Sequence, residues 1–244
     1  KLFKIYKIKR FSFFYFTYLL LGILISALWF CFPAFILVLF LIVASYHFGK
    51  EDCIFPITKS GLMFTLKGSL IILAPLFFHF DDTINIFKIL YLKENFLING
   101  LIYLFENNII VYLLTLSILS NFFIYKINLV SIATIFVDII IVILVNILYS
   151  PVFAFTLYFC FVHSIRHIIS LILEMKVSSI VFFKKALPLT LVTSLIFICS
   201  AWVITLNNYT LDSAILKVIF IGLASLTFPH ILLEYFLEKN ERKN

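Results

Sequence analysis

The chain has 244 residues, of which 64% are hydrophobic and 13% charged, where a soluble domain is about half apolar and about a quarter charged. That leaves too little polar surface to wrap a water-soluble globule and excludes that class. The net charge of +7 does not point to nucleic acid either, because the lysines and arginines stand at the ends of apolar runs instead of forming one basic stripe.

A helix needs about 20 apolar residues to cross the core of a bilayer. On that measure the sequence predicts an all-α, polytopic membrane bundle with eight spans, at 12–31, 33–49, 62–80, 108–126, 129–148, 152–174, 186–206 and 214–237. Pro33 and Pro151 open the second and sixth spans, where a missing amide hydrogen is tolerated, and Pro188 falls in the first turn of the seventh. Between the third and fourth spans lies 81–107, whose stretch "TINIFKILYL" reads as an interfacial amphipathic helix, with a re-entrant segment as the alternative. No repeat or linker interrupts the pattern, so 1–244 reads as a single membrane-embedded domain. The four cysteines (Cys31, Cys53, Cys160, Cys199) are scattered without a CxxC pair and read as small core residues.

Basic residues orient the spans. With the N-terminus inside, the inner segments carry Lys1, Lys4, Lys7, Lys9, Arg10, Lys50, Lys59, Lys126, Lys176, Lys184, Lys185, Lys239, Arg242 and Lys243. The outer segments carry only Lys88 and Lys93, so both ends of the chain are expected on the cytoplasmic side.

Five histidines stand out from this apolar background. From the rise of a helix, His163 and His167 lie roughly 16 and 22 Å from the outer face, His47 roughly 21 Å and His230 roughly 24 Å, while His79 falls near the outer face. Four therefore share one layer. In "HSIRH" (163–167) the two histidines are four residues apart and project from one helix face, so two ring nitrogens can reach one ion. His47 in "SYHFGKED" is placed to add a third ligand, and the adjacent Glu51 and Asp52 to orient a ligand ring through its second nitrogen. His230, after Pro229 in "TFPHILLEY", is a candidate fourth ligand or outer hydrogen-bond donor.

A single membrane histidine can simply bond across a helix interface. Four at one depth favour a metal site, which an all-imidazole donor set makes suitable for iron, copper or zinc. Arg166 points off the histidine face, toward an acid such as Asp138. Other readings are a bis-histidine haem or quinone electron-transfer protein using His167 with His230, and a proton-coupled transporter. A di-iron oxygenase wants about twice as many ligands.

The segments "SYHFGKED" (45–52), "PLFFHFDD" (75–82), "YFCFVHSIRHI" (158–168) and "TFPHILLEY" (227–235) resemble, in order and spacing, the Brp/Blh-type β-carotene 15,15′-dioxygenases. The resemblance runs from residue 40 to the end, and "HSxRH" after "YFC" is its most specific piece. It implies a multi-pass enzyme of the bacterial inner membrane that uses O₂ to split β-carotene at its central double bond into two molecules of all-trans-retinal. It also implies an Fe(2+) centre held by four histidines, three of which match His47, His163 and His167. The fourth belongs to a "PHGxxDH"-like motif with no match in this chain. Together with the first residue being Lys1, that makes an N-terminally truncated sequence the expectation, with His230 the better stand-in by depth. The resemblance further implies an aromatic tunnel for the polyene, for which Tyr46, Phe48, Tyr158, Phe159 and Phe161 are the candidates, and retinal passed on to a rhodopsin-type protein. Cleavage of a different carotenoid is the alternative within the family.

Overall fold

A computed structural model describes residues 8–53, 60–90, 96–125 and 128–241, which contain helices and turns but no strand. In chain order the helices are α1 (Ile8–Cys31), α2 (Pro33–Glu51), α3 (Gly61–Phe78), α4 (Phe80–Ile89), α5 (Phe96–Glu106), α6 (Ile109–Ile124), α7 (Leu129–Leu148) and α8 (Pro151–Leu157). A π-helical turn (Tyr158–His163) then leads into α9 (Ser164–Met175), followed by α10 (Ser179–Leu206) and α11 (Leu211–Glu241).

Six helical stretches among these residues are long and apolar enough to cross a membrane: Pro33–Glu51, Gly61–Phe78, Leu129–Leu148, Pro151–Leu173, Ser179–Leu206 and Leu211–Leu232. A seventh follows if α5 and α6, bent by 79°, are one broken span, and Tyr15–Cys31 is a shorter apolar helix at the place of the expected first span. The chain is thus a polytopic helical membrane protein, with six qualifying spans where the sequence predicts eight.

Two local expectations are corrected. Pro188 lies in the interior of α10, because that helix starts at Ser179, about two turns ahead of the predicted start at 186. The sixth span is not a continuous α-helix but carries the π turn in its middle. The fourth predicted span, 108–126, matches α6, which a 79° bend at Asn108 (φ 58°, left-handed) separates from α5. The stretch 81–107 contains a short amphipathic helix as expected: on α4, Thr83, Ile84, Ile86 and Phe87 are buried while Asp81, Asp82 and Lys88 face outward. Of the residues in the basic count, Lys1, Lys4, Lys7, Lys59, Lys93, Lys126, Arg242 and Lys243 lie outside the described residues.

Packing divides the chain into two compact units, one made of Lys1–Leu37, Ile89–Tyr91 and Leu171–Asn244, the other of Val38–Lys88 and Leu92–Ser170. In the first, α11 packs on α1 and on α10. Its seam is built from small residues: a Cβ on Gly22 would meet the Ser225 carbonyl at 3.1 Å, and the Ser26 and Ser225 hydroxyls are 2.7 Å apart. Small residues let backbones approach where lipid supplies no hydrophobic drive between helices.

In the second unit α3 is central and packs on α6, α7 and α8. Its contact with α6 is polar, the Ser117 hydroxyl donating to the Leu66 carbonyl at 2.7 Å. Its crossing with α2 is the tightest: a Cβ on Gly49 would run into the Phe64 carbonyl, and one on Gly68 into the Ser45 carbonyl. Only glycine permits that approach, and it sets the C-terminal end of α2 against the second turn of α3.

Candidate metal centre

The α2 end carries His47 and Glu51, four residues apart on one helix face, and is followed directly by Asp52. The opposing residues come from the π turn and α9. On a regular α-helix Tyr158 and His163, five residues apart, would point about 140° away from each other. The wider π turn brings both onto the same acceptor. The Tyr158 hydroxyl donates to Asp52 Oδ2, and His163 Nδ1 donates to Asp52 Oδ1 at 3.1 Å. One turn on, His167 Nδ1 donates to Glu51 Oε2 at 3.0 Å. Single π turns inside α-helices occur frequently at functional sites for this reason, that they re-aim side chains.

Asp52 is only 2% exposed and lies just past the last residue of α2. Burial alone would raise its carboxyl. The hydrogen bond and charge of His163, the Tyr158 hydroxyl and the Lys67 ammonium outweigh burial and hold it below the usual carboxylate range. An ionised carboxylate only accepts, so the proton it binds sits on His163 Nδ1 and the Nε2 lone pair is left for a ligand. At Glu51 the same contact, through Nδ1 of His167, turns Nε2 of that ring away from the carboxylate.

His163 and His167 stack nearly parallel, with ring centroids 6.3 Å apart and planes at 8°. The His47 ring stands edge-on to both, 5.2 Å from His163 and 6.4 Å from His167. The donor set therefore fits a metal ion: three imidazoles in one cluster, two with their second nitrogen anchored by a carboxylate, the arrangement metal-binding histidines commonly show. As placed, no three His, Cys, Asp or Glu side chains among the described residues close on a single point.

The remaining candidates are sorted by the structure. Phe48 and Tyr158 are buried beside the histidines, and Phe48 meets His163, Phe155, Tyr158 and Phe159 edge-on. Phe155, Phe159, His163 and His167, each four residues from the next, form a ladder of stacked rings. Tyr46 instead packs edge-on against Phe64, and Phe161 faces outward, 64% exposed. Arg166 pairs with Asp138, the acid the sequence suggested. His79 caps α3, its Nε2 lying 2.6 Å from the Asn146 carbonyl, apart from the other histidines of its unit. His230 lies half-buried on α11, in the other unit.

Lys67, Tyr125 and Phe155 belong to this neighbourhood and were not singled out from the sequence. For Lys67 the signal is there: a lysine inside an apolar span asks for a buried partner. Tyr125 and Phe155 have no such mark among so many aromatic residues.

A family model described as Beta-carotene 15,15'-dioxygenase matches residues 1–238, reaching well ahead of the motifs that begin near residue 45. A curated relative from an uncultured marine bacterium (66A03), named Beta-carotene 15,15'-dioxygenase, is 29% identical over 231 residues, covering 90% of this chain and 78% of the relative. No solved structure matches the chain.

Proposed function

The chain belongs to the beta-carotene 15,15′-dioxygenase family, and from that membership we propose that it is an iron-dependent membrane oxygenase that cleaves β-carotene with O₂ at the central double bond. The products are two molecules of all-trans-retinal. One oxygen atom ends in each aldehyde, so no external reductant is needed. The observation that carries this reading is the cluster of His47, His163 and His167, with Asp52 and Glu51 behind two of the rings. These three imidazoles hold the Fe(2+), which when bound supplies activation of O₂ for its addition to an alkene.

The chain's own side chains do the rest. Asp52 and Glu51 keep protons on Nδ1 of His163 and His167, which fixes both tautomers and ring planes. Tyr158 holds the second oxygen of Asp52, so the carboxylate cannot swing away from His163. Phe48, Phe155 and Phe159 present apolar ring surface next to the imidazoles, suited to a flat polyene and hostile to water. A substrate that dissolves in the bilayer reaches such a site sideways, from the membrane of a bacterial cell. Both chain ends face the cytoplasm, and a rhodopsin-type protein receives the retinal.

The test is expression in a β-carotene-producing bacterial strain followed by pigment extraction. Retinal with loss of orange colour is expected from the wild-type chain, none from His163→Ala, and an undiminished yield per folded protein from His79→Ala. Untouched β-carotene with well-expressed wild-type protein would sink the reading.

A further inference from the structure

The α2–α3 crossing buries a cation that the proposed chemistry does not use. Lys67, in the second turn of α3, is 6% exposed, and an ammonium in a membrane span is costly unless it is paired. Its Nζ donates to the Asp52 backbone carbonyl at 2.9 Å and to the Tyr125 hydroxyl at 2.8 Å. The Tyr125 hydroxyl in turn donates to the same carbonyl at 3.3 Å. That carbonyl sits at the negative, C-terminal pole of α2, where the backbone lacks helical partners and favours a cation. The Gly49–Gly68 contact brings Lys67, the neighbour of Gly68, within reach of it. The residue so held is the one whose carboxylate serves both Tyr158 and His163.

We propose that Lys67, with Tyr125, is a positioning residue of the histidine site: the two clamp the Asp52 backbone so that its carboxylate meets His163 Nδ1 and fixes that ring's tautomer. Because the clamp acts through Asp52, Lys67 touches neither substrate nor histidine. A lysine that merely glued α2 to α3 would affect stability but leave the His163 proton where it is. The catalytic consequence rests on the carotenoid-cleaving reading, but the tautomer does not, and the two are measured separately.

The experiment is ¹⁵N NMR of histidine-labelled full-length protein in detergent micelles, stripped of metal by a chelator so that both ring nitrogens are free to carry the proton, with the His163 signals identified by their loss in His163→Ala. The wild type is expected to show His163 protonated on Nδ1. In Lys67→Met the proton distributes over both ring nitrogens, and Lys67→Gln, which restores an N–H donor at similar reach, recovers part of the wild-type signal. The exposed Lys88→Met on α4 leaves it unchanged. If Lys67→Met does not fold, Lys67→Gln and Tyr125→Phe carry the test with the same expected direction. In parallel, Lys67→Met is expected to lower kcat for retinal formation about tenfold at unchanged KM for β-carotene, with no further loss in an Asp52→Asn background. A folded Lys67→Met protein with His163 still wholly Nδ1-protonated overturns the proposal. A wild type that forms no retinal overturns the carotenoid reading alone, and the tautomer signal still decides the clamp.

Discussion

The two units solve the membrane's shortage of polar partners in opposite ways. In the unit of α1, α10 and α11, contact is made mostly by small residues and single hydrogen bonds: Gly22 lies under the Ser225 carbonyl, the Ser26 and Ser225 hydroxyls pair and bond back to their own helices, the Tyr18 hydroxyl donates to the Leu226 carbonyl, and the buried Lys217 lies over the Tyr209 ring. In the unit around α3, the same close approach at Gly49 and Gly68 is surrounded by Asp52, Lys67, Asp138, His163 and Arg166, all bonded to one another or to the backbone. Adhesion needs only the first arrangement, as α1 and α11 demonstrate. The second adds carboxylate pairs beyond what helix packing requires, Asp52 with His163, Glu51 with His167 and Asp138 with Arg166, and two of these three end on imidazoles. That contrast is the physical reason for placing the chemistry in the α3 unit.

Asp52→Asn is the largest single-residue test of the contrast outside the imidazoles themselves. It keeps the shape but removes the charge that fixes His163, and retinal formation is expected to fall about 10- to 100-fold, the usual cost of losing a carboxylate behind a metal-binding histidine. Full activity in Asp52→Asn would mean that the buried acid is structural only. Next comes Arg166→Met, which strips Asp138 of its partner. The pair is partly exposed, its side chains at 27% and 12%, so the cost is expected near the lower end for a broken buried pair, about 3 kcal/mol. Thermal unfolding in detergent measures it, and replacing Asp138 by Leu in the same protein should restore most of the loss.

How much of this was legible in the sequence depends on whether the information is periodic. Apolar length and helical spacing are, so most spans, the shared face of His163 and His167, and the Arg166–Asp138 pair could be read directly. The depth argument grouped His47 with them and set His79 apart; the structure brings those three rings together and places His79 on the Asn146 carbonyl. What could not be read was local geometry that departs from the period. The π turn at Tyr158–His163 has no sequence signature, yet it alone turns Tyr158 toward Asp52. Likewise a 3.6-residue wheel does not reveal that α10 starts at Ser179, because its extra turns at Lys184 and Lys185 are polar enough to pass for a loop. Lys67 was the avoidable omission, since its charge inside an apolar run is visible without any structure.

The smallest expected effect is in the other unit. Ser225→Ala removes the hydroxyl shared with Ser26 and the bond to the Ile221 carbonyl, and leaves the backbone approach at Gly22 intact. Interhelical hydrogen bonds of this kind are worth about 0.6 kcal/mol on average in a membrane, because the separated helices also find partners. Stability in detergent should therefore drop by about that amount, and retinal formed per folded protein should not change. A stability loss several times larger would show that the seam depends on the hydroxyl pair and not on the close backbone approach. A loss of activity without a loss of stability would break the comparison more deeply, since it would give the small-residue seam a part in the reaction that nothing in its chemistry provides.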